Sequence, residues 1–374
     1  MMNDKAGERK RQNKARIARH ILRRKEISKP ELAVELGISM PTVLQNVKEL
    51  VKEGIVEEVG EYESTGGRKA KALAIASRVK FAAGVDITAN HISYILIDLK
   101  GEVMSRKRVR KVYANVPEYY EETAADLSEF IKGSKVEKEK ILGVGISLPG
   151  IIDKEKGKLV RSHILNVADV NLEVLGRLIP YDIHYENDAN SAAVAELGGE
   201  EHNAVYLSLS NTVGGSVYLN NGIYGGDNFR SAEFGHMVIE PKGKECYCGK
   251  KGCVDAYCSA RVLTSYLGKE GTLTEFFERL EGKEEKTVKF FDTYLDYLAI
   301  VISNLRMAFD CQIILGGYVG GYLKNYMTEL GKKVLKYNRF DNDTLYLKNC
   351  EYEKDASAVG IAMTFVEQYF QNVS

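Results

Sequence analysis

The sequence predicts a mostly α-helical N-terminal head of winged helix-turn-helix type, followed by a larger α/β region of two lobes. Three observations carry this. Two short helical patterns meet at Gly37 and lead into a strand, a polar Gly-rich tip and a second strand. Runs of β-branched residues open a hairpin near Phe81 and again near Ala204. Between these hairpins, "KILGVGISLPGIID" reads as a buried strand and "IHYENDANSAAVAELGG" as a strand, a polar turn and a small-residue helix. With 374 residues the chain is long enough for two or three cores. The expected boundaries are 1–76 for the head, 79–187 plus 355–374 for the first lobe, and 188–354 for the second.

In the head, the stretch from Arg11 to Arg24 has helical spacing, with Ile17, Ile21 and Leu22 as inward residues. Ser28 stands three before Glu31, a capping-box spacing, with Pro30 in the first turn and Gly37 as the stop. A second helix then starts, with Ser39 as its cap and Val43, Val47 and Leu50 as a buried stripe. Its other face offers Thr42, Gln45, Asn46 and Lys48. This is the geometry that lays a recognition helix in a major groove. Gln45 and Asn46 suit adenine edges, while Ser39 and Thr42 suit phosphate. In the wing that follows, Gly67, Arg68 and Lys69 suit a minor groove or phosphates.

Charge supports a nucleic-acid partner. The 52 Lys and Arg balance 52 Asp and Glu over the whole chain. Residues 1–80, however, hold about 18 basic against about 11 acidic side chains, which leaves the remainder acidic. No apolar run approaches the roughly 18 residues of a membrane span, and the start "MMNDKAGERKRQNKAR" has no apolar signal region, so a soluble cytoplasmic protein is expected.

"HMVIEPKGKECYCGKKGC" gathers three of the six cysteines and one histidine. Clustered cysteines in a cytosolic chain point to metal rather than disulfides. His236, Cys246, Cys248 and Cys253 make a full tetrahedral set for Zn²⁺, with Gly249 and Gly252 allowing a knuckle. Four protein ligands leave no open position, so the expected ion is structural. Cys258, Cys311 and Cys350 are expected to be small buried residues.

In order along the chain come "GVGISLPGIID", "ENDANSAA", "AEFGH" before "CYCGKKGC", "IILGGYVGG" and "DASAVGIAM". Together with "STGGRK" after a helix-turn-helix, this series resembles the ROK family of repressors, open reading frames and kinases, in its repressor branch. The resemblance covers nearly the whole chain. It implies an actin- and hexokinase-like fold with a carbohydrate in the cleft between lobes. It also implies that Asn187 and Asp188 bind sugar hydroxyls, Asp188 being the catalytic base in the kinases, and that Glu233 and His236 add hydrogen bonds. A glutamate that contacts sugar in the family falls here on Asp255, one methylene shorter.

The phosphate loops depart from the family. Where its kinases carry Asp-x-Gly-Gly-Thr, this chain reads Asp86-Ile87-Thr88-Ala89-Asn90, and the second loop reads Ser210-Asn211-Thr212-Val213-Gly214-Gly215. Side chains stand where glycine amides approach a triphosphate. The expectation is a sugar-responsive repressor without kinase activity, bound to operator DNA as a dimer. The family's repressors answer to xylose, glucose-linked signals or N-acetylglucosamine. The alternatives are a sugar kinase with a fused DNA-binding domain and a regulator controlled by a phosphotransferase protein.

Overall fold

The computed structural model describes residues 2–62, 70–198, 202–352 and 354–373. Its head opens with α1 (Met2–Arg24), which buries Ala15, Ile17, Ala18 and Ile21. Leu22 is only half-buried. A two-residue strand, β1 (Ile27–Ser28), leads into α2 (Lys29–Leu36). The capping box is complete: the Glu31 amide donates to Ser28 Oγ, and the Ser28 amide donates to Glu31 Oε2 at 3.0 Å. Gly37 ends α2 at φ 62°, a left-handed value that glycine adopts without a Cβ penalty.

After a three-residue turn, α3 (Met40–Lys52) buries Val43, Asn46, Val47 and Leu50. Strands β2 (Val56–Tyr62) and β3 (Ala70–Ile75) pair antiparallel, and β1 adds to β3, giving the order β1-β3-β2. Sequence patterning missed β1 because two residues carry no periodicity. Lys14, 1% exposed, pairs with Glu53 at 2.6 Å and ties α1 to the residue that ends α3.

Further along lie β4 (Phe81–Ile87), β5 (His91–Asp98), β6 (Val103–Arg110), α4 (Pro117–Gly133) and β7 (Ile141–Leu148). A small meander follows, of β8 (Ile151–Asp153), β9 (Lys158–Ser162) and β10 (Val167–Asn171). Next come α5 (Glu173–Gly176), β11 (Ile183–Asn187) and α6 (Asp188–Leu197).

The second hairpin is β12 (Ala204–Leu209) with β13 (Val213–Leu219), extended by β14 (Gly222–Ile223). Helices α7 (Asp255–Cys258), α8 (Ala260–Tyr266), α9 (Leu273–Glu281) and α10 (Glu285–Phe309) follow. The chain closes with β15 (Gln312–Gly316), α11 (Gly317–Leu323), α12 (Met327–Tyr337), β16 (Leu347–Asn349) and α13 (Ala356–Gln371).

These elements form two compact units, one of residues 1–147, 172–186 and 358–374, the other of 148–171 and 187–357. The meander 148–171 thus falls in the second unit, ahead of the expected start at 188. In the first unit the sheet runs β11-β7-β4-β5-β6, antiparallel through β4, β5 and β6 and parallel between β4 and β7. Helix α13 lies so close to this sheet that a Cβ on Gly84 would overlap the Ala358 carbonyl.

In the second unit the sheet runs β14-β13-β12-β15-β16, with β12 and β15 parallel. Its core joins Val205, Leu207 and Ile313 to the buried face of α10 and a cluster of Phe276, Phe277 and Phe291. Each unit thus contains an antiparallel hairpin whose first strand pairs parallel to a later one, the duplication suggested by the two β-branched runs. Cys258, Cys311 and Cys350 are buried, as expected. No helix among the described residues is long and apolar enough to cross a membrane.

Candidate functional site

The strand-to-helix junction β11–α6 delivers the first site residues. Asn187 caps α6, accepting from the amides of Ala189 at 2.9 Å and Asn190 at 3.2 Å, and its Nδ2 donates to the Gly150 carbonyl at 2.9 Å. Its side chain is therefore engaged in holding the turn, the capping role that Ser, Asn and Asp fill at helix starts. Asp188 follows, half-buried, with Oδ1 accepting from the Ala189 amide and its carbonyl accepting from Ser357 Oγ. Burial pushes its carboxyl above the usual range, against the pull of the amides around it.

Glu233 arrives on a loop whose backbone is left-handed at Phe229 and Ala232, an uncommon conformation for residues with a Cβ. Its carboxyl, on a solvent-exposed residue, is raised by desolvation and by the nearby Asp188 charge, with Arg230 opposing. Three residues on, His236 turns Nδ1 toward Cys246 Sγ at 3.8 Å and Nε2 toward the Tyr247 hydroxyl at 3.3 Å. Desolvation and the charges of Lys250 and His163 lower its pKa, which favours the neutral imidazole that a metal requires.

The ligand atoms of His236, Cys246, Cys248 and Cys253 all lie within 4.8 Å of one another. Sulfur-to-sulfur and sulfur-to-nitrogen separations of 3.8 Å match the edge of a tetrahedron with bonds of about 2.3 Å, the zinc–thiolate length. They exceed a disulfide, and all three thiols are free. Burial raises the Cys246 thiol to about 12 and raises Cys253, while at Cys248 burial is outweighed by hydrogen bonds from the Lys250 amide and the neighbouring thiols, which lower it.

The loop is built for this approach. Gly249 at φ 87° and Gly252 at φ 77° supply left-handed corners, the Gly249 amide donates to the Cys246 carbonyl, and Lys250 Nζ donates to the His236 carbonyl. A Cβ on Gly252 would overlap the Glu240 carbonyl.

Asp255 sits at the other end of the loop, 4% exposed. Its Oδ2 accepts from the Val213 amide at 2.7 Å, and Oδ1 lies 3.6 Å from Arg261, which in turn donates to the Asn211 carbonyl. Burial raises this carboxyl, while Val213 and Arg261 pull it down. The shorter side chain is thus fastened to the start of β13 and, through Arg261, to the loop before it.

Three neighbours escaped the sequence reading. Tyr247, between two cysteines, has its ring 5.3 Å from that of His236 and 5.8 Å from that of His163, and the Arg261 guanidinium lies 5.3 Å from its centroid. The place of Tyr247 between two cysteines was the one available signal; His163 comes from a distant segment and Arg261 from the next helix, and neither carries a motif.

The glycines that persist serve packing. A Cβ on Gly215 or Gly316 would strike the rings of Phe234 or Tyr206, and Gly317 needs its φ of 76°. The turn Thr88–Asn90 closes on itself: the Thr88 amide and hydroxyl both donate to the His91 carbonyl, and the His91 amide donates to Thr88 Oγ1.

A model of the ROK family matches residues 82–368, well over half of the chain. The chain belongs to the ROK family. A second model, described as a winged helix-turn-helix that binds DNA, matches residues 11–57. The chain is 30% identical to the xylose repressor of Bacillus subtilis over 82% of each protein, and 27% identical to that of Bacillus spizizenii over 97% of each. Among solved structures it resembles a ROK family transcriptional regulator homologous to the Escherichia coli MLC protein, at 17% identity and a TM-score of 0.73 over 96% of this chain and 97% of that one. It also resembles the ROK hexokinase of Thermus thermophilus, at 24% identity and a TM-score of 0.63 over 76% of this chain and 97% of that one. The two-lobed α/β fold behind a winged head is therefore that of this family.

In the head, Ser39, Gln45 and Lys48 are exposed and Thr42 is half-buried, with the Ser39 and Thr42 hydroxyls 2.8 Å apart. Ser39 occupies the cap position without bonding an amide through its side chain. Asn46 requires correction: it is 1% exposed and donates to the Thr42 carbonyl at 2.7 Å, so it faces the head core rather than a groove. It lies three residues after Val43, on the buried stripe that Val43, Val47 and Leu50 define. Gly67, Arg68 and Lys69 lie outside the described residues.

Proposed function

We propose that the chain is a sugar-responsive transcriptional repressor that binds operator DNA as a dimer and does not transfer phosphate. One pairing carries this reading: a recognition helix with an open polar face shares a chain with Asp188, Glu233 and His236, whose carboxylates and imidazole suit sugar hydroxyls. The relatives named as xylose repressors support a pentose or related sugar as the effector. Ser39, Thr42, Gln45 and Lys48 contact DNA, joined by Gly67, Arg68 and Lys69 of the wing.

Kinase chemistry is disfavoured by the self-closed Thr88 turn, whose amide and hydroxyl are already committed to His91 rather than open to a phosphate. Zn²⁺ held by His236, Cys246, Cys248 and Cys253 fixes the loop between Glu233 and Asp255. Its role is to cross-link, because four protein ligands leave no position for an activated water. Sugar shifts DNA affinity only by the difference in its affinity for the free and DNA-bound states.

The test is a mobility-shift titration of the full chain on duplexes selected from a random pool, with and without xylose, glucose and N-acetylglucosamine. Selective binding altered by one sugar, and lost as a response in Asp188→Asn, is expected. Selective binding that no sugar changes, or ATP-dependent turnover of a sugar in a coupled assay, overturns the reading.

A further inference from the structure

The outward face of α3 carries more than polar side chains. Met40 and Leu44 are 37% and 47% exposed. Together with Pro41, Gln45 and Lys48 they form one arc, because residues three or four apart share a helix face. Val43, Asn46, Val47 and Leu50 occupy the opposite side and are buried. Two large apolar side chains one turn apart are therefore open to solvent on the N-terminal half of the helix. Glu49, the only acidic residue of α3, is half-buried and lies one turn beyond Gln45, so the N-terminal half that carries Met40 and Leu44 has no carboxylate of this helix on it.

A duplex major groove offers the complement of such a face. Its apolar feature is the thymine C5-methyl group, its adenine edge suits a glutamine amide, and its flanking phosphates suit a lysine. Resting on the DNA-binding reading above, we infer that Leu44, with Met40 beside it, reads thymine methyl groups, so that operator half-sites place A·T pairs under the first two turns of α3. Gln45 takes an adenine edge in the same half-site, and Lys48 takes a phosphate. With Asn46 turned inward, the amide reader on this helix is Gln45, and the apolar pair supplies the rest of the sequence preference.

The test uses full-length protein and the duplexes it selects from a random pool. Each thymine of a half-site is replaced singly by deoxyuridine, which removes only the methyl group, and binding is followed by fluorescence anisotropy. One or two replacements are expected to weaken the native protein about fourfold each, the effect of one buried methyl-sized group. Those same replacements leave Leu44→Ala unaffected, and Met40→Ala loses its response at a neighbouring thymine. Leu44 is exposed, so Leu44→Ala unfolds at the native midpoint.

If every uracil duplex binds the native protein as tightly as its thymine parent, or if Leu44→Ala keeps the same penalties, methyl readout is overturned while selective DNA binding stands. If Leu44→Ala instead changes the mass of the protein in solution and the penalties persist, the side chain serves contact between copies and the inference falls. Failure to select any duplex removes the DNA-binding reading itself, and the methyl readout with it.

Discussion

The Val213 amide donates to Asp255 Oδ2 at 2.7 Å, fastening the carboxylate that follows the Cys-rich loop to the start of β13. Asp255→Ala leaves a buried amide without its acceptor, a loss of about 1–3 kcal/mol. Thermal unfolding of the variant is expected to show this at neutral pH. A stability unchanged from native would mean that the carboxylate is free to serve a ligand instead.

Removal of the proposed metal loosens the same loop. Elemental measurement is expected to find one zinc per chain, and chelation or Cys248→Ser to cost at least about 3 kcal/mol. For a unit of this size that is a fall of roughly 6–12 °C in midpoint. Protein that is free of zinc when purified under metal-replete conditions, and equally stable with and without chelator, would remove the metal from this account.

Acid sensitivity of the head is predicted at Glu58. Hydrogen bonds from Lys29 and Lys71, at 2.6 and 2.9 Å, hold its carboxyl down at about 2, against an ordinary value of 4.5. The folded pKa lies below the unfolded one, so the contribution is complete above pH 4.5 and disappears as pH falls toward 2. Both pairs are solvent-screened, which limits each to less than about 1 kcal/mol. Melting curves of Glu58→Gln across this window should show a shallower loss with acid than the native chain. Parallel curves would count against the pairing.

The capping box gives a local prediction. Ser28→Ala removes the acceptor for the Glu31 amide and is expected to cost about 1 kcal/mol, with no change in the second unit. Hydrogen exchange should locate the loss at the start of α2. An effect spread evenly over the chain would contradict a capping role.

Local signals were the most legible in the sequence. The Ser28–Glu31 box, the Gly37 stop and the Cys-rich knuckle each depend on residues a few positions apart, and each forms as expected. Ordered motifs across the chain identified the family and its two-lobed fold. What spacing did not give was the inward turn of Asn46, because a polar residue beside a hydrophobic stripe reads as surface until its carbonyl partner, Thr42, is seen. Nor did it give the ring cluster of Tyr247 and His236 with His163, which arrives from a distant segment, or the Arg261–Asp255 pair, which depends on the turn between α7 and α8.

Gly215, Gly235 and Gly316 carry a lesson for comparing relatives of this chain. Each is required because a Cβ would collide with Phe234, the Val213 carbonyl or Tyr206, with no nucleotide involved. Packing alone requires these glycines, so their presence does not by itself mark a site that binds ATP. On the proposed reading the turn at Thr88 is the more telling position, because its amide and hydroxyl are both spent on the His91 carbonyl.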